Sequence, residues 1–519
     1  MGHLTENTIN RFICYYLFIF FLSIYLLTAS GINVGMTDVG IARMEVAKSI
    51  IERFDLSIPS GQGLGIQGAD GREYSLFSIG SVLCALPFYL IGRLAGVPPV
   101  SVVTMMNQLA GAATVVVVFL FCSSLGYTRR ASLAASIFYG LGTFAWYYAK
   151  DPGDHTLETL WALLSVYAMY RYAACSELRY LCLSSLFFGF AFLTRSTSIL
   201  LIPPLLLLMV MKRRTGFHDK AHIRLKFSHL MLFISLLLPF AGIIFFYNYF
   251  RFGSIFETGY TLMATRLGLN FFSATPLLTG LRGFLISPGK GYFYYSPVAV
   301  LFFFSLKSFY RKHPVPAISF ISIIASYLFF FSKNVYWHGD SAWGPRYLFV
   351  ITPFLIIPLA ALFDSAAWHT NSLVKRGVYT LFALSLTIQV AAVSVHVYKY
   401  FVFLHEKNIP FTIAKGTGAP PICEPSPETY FDWRLSPIAA QVKFAGEIGK
   451  NLKNYKYVNR TEYGSKHEEI LSQPWMNIFD FWWLYEYYAA NSFAGLIVAA
   501  LLFMSGIFSA LKLRKAALL

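Results

Sequence analysis

Apolar runs of about 15–24 residues, around the ~20 a helix needs to cross a ~30 Å hydrocarbon core, recur along most of the chain. They fall at roughly 12–30, 104–124, 131–149, 159–175, 180–195, 197–211, 229–248, 293–309, 315–332, 348–364, 378–398 and 487–510. The pattern predicts an all-α polytopic membrane protein with about twelve transmembrane helices and long outer loops containing interfacial helices. The first run is long for a signal-peptide core and is read as a retained helix. The segment 77–96 is short and carries Pro87 and Arg93, and it is read as an interfacial or re-entrant helix.

The polar intervals are uneven, and three of them are long: 31–103, 249–292 and 399–486. Within the first, MTDVGIARMEVAKSI places Met44, Ala47, Ile50, Ile51 and Phe54 on one helical face, with Glu45, Lys48, Ser49 and Glu52 opposite. That suits a helix lying in the interface, with Arg43 snorkelling from its apolar edge. The organisation that follows is a transmembrane module over 1–400, an outer subdomain over 401–486, and a last helix with its tail over 487–519.

Composition agrees with this reading, at 56% hydrophobic, 18% aromatic and only 13% charged residues in 519. The formal charge of +17 would suggest nucleic-acid binding if it were spread over one surface. It is instead gathered in short loops: Arg129 and Arg130, Arg171 and Arg179, the run from Lys212 to Lys226, Lys307 with Arg311 and Lys312, Lys375 and Arg376, and Lys512 to Lys515. By the positive-inside rule these loops face the cytoplasm, as do both termini, in a cell (inner or plasma) membrane. No nucleic acid is expected as a partner. The six cysteines have no metal-ligand spacing, and no disulfide framework is expected.

The candidate chemistry lies on the outer side. Asp38 follows the first run by eight residues and opens the amphipathic stretch, a place that suits chemistry at the membrane surface and also a helix cap. The short second outer loop, YYAKDPGDHTLETL, crowds Asp151, Asp154, His155 and Glu158 together. Such a group can hold a divalent cation or present a carboxylate with a raised pKa, although the sequence does not require a metal. VYWHGDSAWGPRYLFV adds His338, Asp340 and Arg346, and the loop 249–292 adds Arg282 and Lys290. A guanidinium at head-group depth suits a phosphate, because its planar fork pairs with phosphate oxygens.

The order of these segments, with DGREYS, LGYTRRASLAASIFYGLGT, FLTRSTSILLIPPLLLL, ISPGKGYFYYSP and SAWGPRY, resembles bacterial membrane glycosyltransferases of the GT-C superfold. These are relatives of the protein mannosyltransferases and of the lipid A aminoarabinose transferase, and the resemblance covers roughly residues 10–400. It implies a donor sugar on a polyprenyl phosphate and an acceptor glycan, lipid or protein of the cell envelope. By match, Asp38 takes the role of catalytic base and Asp154 that of the second-loop acid, with Asp151 its rival. Arg346, Lys290 and Arg282 are the expected phosphate ligands. Asp151, His155, Glu158, His338 and Asp340 are expected at the acceptor or a metal. The chain departs from the two named branches by Asp38-Val39 in place of an Asp-Glu pair and by YSLFSIG in place of a Lys-Pro-Pro stretch. Donor and acceptor are therefore left open. The competing class is a lipid-linked sugar flippase or transporter, which would concentrate paired charges at mid-bilayer.

Overall fold

The computed structural model describes residues 6–30, 38–60, 65–210, 226–268, 275–339, 342–396, 399–409, 411–414, 422–425, 427–452, 478–490 and 492–518. The chain opens with α1 (Glu6–Leu27) and α2 (Asp38–Arg53). A small antiparallel sheet follows, made of β1 (Ser57–Ile58), β2 (Gly65–Gln67) and the central β3 (Glu73–Ser75), in which Tyr74 pairs with both Ser57 and Ile66. Then come α3 (Gly80–Leu94), α4 (Pro99–Ser124), α5 (Arg129–Gly142), α6 (Ala145–Lys150), α7 (His155–Cys175), α8 (Leu178–Thr194), α9 (Ile202–Val210) and α10 (Phe227–Phe252). The second half holds α11 (Gly259–Leu267), α12 (Leu277–Ile286), α13 (Tyr292–Tyr295), α14 (Leu301–Lys312), α15 (Pro314–Ser332), α16 (Thr352–Ile356), α17 (Leu359–Phe363), α18 (Ala366–Thr370) and α19 (Ser372–Ser394). It ends with α20 (Lys399–Glu406), the hairpin β4 (Phe411–Ala414) and β5 (Ile422–Pro425), α21 (Pro437–Asn451), α22 (Trp482–Ala490) and α23 (Ala494–Leu518).

The protein is an all-α polytopic membrane protein. Seven described segments are long and apolar enough to cross a membrane, and four shorter apolar helices accompany them. Among the described residues each of the twelve predicted runs is largely helical, but several are built from pieces. The run at 131–149 breaks at Thr143, whose backbone is extended and whose hydroxyl donates to the Tyr139 carbonyl at 2.6 Å. The pair 180–195 and 197–211 is separated by an extended Arg195 (φ −148°, ψ 122°). The segment 77–96 forms the fifteen-residue α3, beside α2 and α4.

α4 is the hub, packing against α1, α3, α5, α6 and α7. Small residues make this possible, since Gly111 lets Tyr25 and Ala149 approach, and a methyl there would sit 3.0 Å from the Ala149 Cβ. α10 and α23 lie outermost and expose Leu238, Phe246, Leu501 and Phe508, as a lipid-facing surface requires. Residues predicted to be cytoplasmic come together at one end of α4. There Thr128 donates to Asp364 at 2.8 Å, Lys312 lies 4.0 Å from Asp364, and Arg130 donates to the Ala517 carbonyl. At its other end, around Asn107, the second of the loops predicted to be external meets α2 from the first.

Candidate active site

The second of the loops predicted to be external is a tight turn. The Asp151 carboxylate accepts from the Gly153 N–H at 2.7 Å, as aspartates do in turns, and the Asn107 side-chain amide donates to the carbonyls of Asp151 and Gly153. Burial, the largest influence on Asp151, pushes its carboxyl above the usual range, while the Gly153 N–H and the charges of Arg346 and Arg43 oppose it. Asp154 stands just before α7 but makes no capping hydrogen bond among the described residues. Its carboxylate turns to Arg43 of α2, 2.6 Å away, with both side chains almost fully buried. A small pocket lined by Gly40, Arg43, Val103, Thr104, Asn107 and Pro152 lies beside the pair.

This corrects the reading of α2. Arg43 does not snorkel, because a buried guanidinium must have a counter-charge and Asp154 supplies it. Ser49 is fully buried instead of facing solvent, and Phe54, at φ 53° past the helix end, is 95% exposed.

On the first turn of α7, His155 packs between the rings of Tyr148 and Tyr347, and its Nδ1 lies 4.0 Å from Glu158. Glu158 pairs with the Arg195 Nε at 3.2 Å and accepts weak hydrogen bonds from Thr197 and Ser198. Arg195 thus sits at the sharp reversal between α8 and the 3-10 turn Ser196–Leu201, on the same end of the bundle as the second loop. Its guanidinium lies 5.6 Å from the Tyr347 ring, and that of Arg346 lies 5.0 Å from the same ring. Arg346 also donates to the Tyr347 hydroxyl at 3.2 Å. Tyr347 itself stacks on Phe331, with ring planes 3° apart.

The remaining expected residues form a neighbouring group. The Lys290 ammonium donates to the carbonyl of Ala342 at 2.6 Å and reaches that of Gly344 at 3.4 Å, so it shapes the loop that carries Arg346. That loop turns through Gly339 and Gly344, whose positive φ values of 64° and 62° favour glycine. His338 stacks on Tyr430, Lys290 lies over the same ring, and the exposed Arg282 lies over Phe431. Arg282, Lys290 and His338 are therefore gathered under a strap that carries Tyr430 and Phe431, while Arg346 is with the second-loop acids. The Asp38 side chain and the whole of Asp340 lie outside the described residues. The described residues contain no group of three His, Cys, Asp or Glu side chains that could hold a metal.

Two basic residues of this site were not among the candidates drawn from the sequence: Arg43, which was given only an interfacial place, and Arg195. The second had a signal, since it interrupts the apolar run FLTRSTSILLIPP.

Residues 85–243 match the dolichyl-phosphate-mannose-protein mannosyltransferase family. The matched stretch runs from within α3 to within α10, and it contains Asp151, Asp154, His155, Glu158 and Arg195. The likeness to mannosyltransferases read from the sequence thus has a family match behind it over this part of the chain. No curated protein matches the sequence. Among solved structures, the chain is similar to ArnT from Cupriavidus metallidurans bound to undecaprenyl phosphate, at 12% identity and a TM-score of 0.46, over 99% of this chain and 78% of that one. The archaeal oligosaccharyltransferase AglB from Archaeoglobus fulgidus, in complex with an inhibitory peptide and a dolichol-phosphate, is similar at 11% identity and a TM-score of 0.46, over 83% and 63% of the two chains.

Proposed function

We propose that the protein is a membrane glycosyltransferase that moves a sugar from a polyprenyl phosphate to an acceptor on the outer face of the cell membrane, with both termini in the cytoplasm. The observation that carries this reading is the charged end of the bundle. Arg43, Arg195 and Arg346 surround the second-loop carboxylates, within and beside the stretch that matches the mannosyltransferase family. The charges lie at helix ends, where a lipid head group and a soluble acceptor can meet, and this favours transfer over transport through the bundle.

In the reaction the leaving group is the lipid phosphate, so the protein must stabilise negative charge as the glycosidic bond breaks. Arg346 is suited to that work, with Arg195 beside the same tyrosine ring. Asp38, at the first position of α2, takes the acceptor's proton as it attacks. Attack opposite the departing phosphate is a single displacement with inversion, and the phosphate needs no acid to protonate it, unlike the leaving group in most glycoside hydrolases. Asp154 orients α2 through Arg43, Glu158 orients Arg195, and Lys290 holds the Arg346 loop. The outer segment 401–486 shapes the acceptor side.

The test compares wild type with Asp38→Asn in nanodiscs, with a membrane lipid extract as donor and released polyprenyl phosphate as the readout. Transfer by wild type, and a loss of about a hundredfold or more in the folded variant, is the expected result. Equal turnover would reduce Asp38 to a helix cap. Vectorial movement of the lipid-linked sugar without transfer would favour the flippase.

A further inference from the structure

The last outer segment returns to the bundle through a buried ion pair that no part of the proposed reaction uses. Lys150 ends α6, and Asp480 lies just before α22. Their charged atoms are 2.6 Å apart, with side chains only 2% and 1% exposed. The same ammonium donates to the Val393 carbonyl at 2.6 Å and to the Asp480 carbonyl at 3.0 Å. The other oxygen of the Asp480 carboxylate accepts from Ser30 at 2.6 Å and from Tyr485 at 3.2 Å. The Asp480 N–H donates to the Ser394 carbonyl.

Neighbouring residues fasten the same segment to the end of α1. The Trp482 N–H donates to the Ala29 carbonyl, and its indole donates to that of Leu26. The Trp483 indole donates to the carbonyl of Leu27. Asp480 therefore ties together the exits of α1 and α6 through its carboxylate, and that of α19 through its N–H and the Lys150 ammonium. Two of those exits lead directly to candidate acids. Ser30 precedes the link to Asp38, and Lys150 is bonded to Asp151.

An ion pair this deep is a poor way to gain stability. Desolvating both charges costs about as much as their attraction returns, and an apolar pair of similar volume often does as well. What a buried pair does supply is directional constraint, because neither charge can be left unmatched.

We infer that Asp480 is a positioning residue, a latch by which the distal outer segment sets the placement of the second-loop turn that carries Asp151 and Asp154. The inference rests on the proposed function only for its effect on turnover, and its effect on the loop can be read without substrate.

The experiment uses the full chain in nanodiscs, as wild type, as Asp480→Asn, and as the double variant Lys150→Met with Asp480→Leu. The single change keeps the shape and removes the charge. The double change removes both charges, and so keeps the question open to measurement if the single variant fails to fold. Hydrogen exchange over 147–160 is expected to rise about tenfold in the variants, with exchange over 301–332 unchanged. With a polyprenyl-phosphate sugar as donor, kcat is expected to fall about tenfold or more at unchanged KM, since a displaced carboxylate costs rate more than binding. Exchange that rises only at 478–485, or a turn that loosens with kcat unchanged, would overturn the latch. If wild type transfers no sugar, the proposed function fails, and the exchange at 147–160 still decides whether the latch exists.

Discussion

Arg43 and Asp154 show how much a single buried pair can constrain. The aspartate belongs to a turn that could have capped α7, and the arginine to a helix that could have lain flat on the membrane. Paired, they fix α2 against the second loop. Asp154→Asn leaves a buried guanidinium without its counter-charge, which is expected to cost about 3–5 kcal/mol and to lower the thermal midpoint in detergent. Arg43→Met combined with Asp154→Leu should recover most of that loss. If the double variant is no more stable than the single one, the destabilisation comes from packing and not from the orphaned charge. The asymmetry between the two variants is the signature to look for.

At the scale of elements, interrupted helices put polar groups where continuous ones could not. The extended Arg195 ends α8 and turns its side chain to Glu158 on α7, while α3 lies against the same turn. Gly80, at the start of α3, makes that approach possible, because a methyl there would overlap the backbone of Leu193 and Thr194. Gly80→Ala is therefore expected to push α3 away from the Arg195 reversal and to destabilise the fold by about 1–3 kcal/mol, as a lowered thermal midpoint would show. The sequence shows a glycine before an apolar run, but not the backbone more than a hundred residues away that needs it.

For the whole molecule, the sidedness is the expectation with the broadest consequences. Lys443 is exposed on α21, in the last segment predicted to be external, and Arg514 is exposed near the end of α23. With the native cysteines replaced, Lys443→Cys should react with an impermeant maleimide in intact cells, and Arg514→Cys only after permeabilisation. Labelling of both from the same side would refute the assigned orientation and move the charged cluster away from the outer face. The polar contacts already sort by end, since Thr128, Lys312 and Asp364 meet at one end of α4, and Asn107 and the second loop at the other.

By itself the sequence determined the membrane class, the helical character of every long apolar run, and the segments in which charge would gather. These properties follow from local composition, because a lipid-facing backbone must satisfy its own hydrogen bonds, whatever lies elsewhere in the chain. The second-loop cluster was legible for the same reason: four ionisable residues lie within eight positions. Which charge meets which was decided only by the tertiary structure. Arg43 pairs with Asp154 across 111 positions and Lys150 with Asp480 across 330, while Lys290 turned away to hold a loop. Burial makes each of these charges find a partner, and only the packed helices determine which partner is within reach.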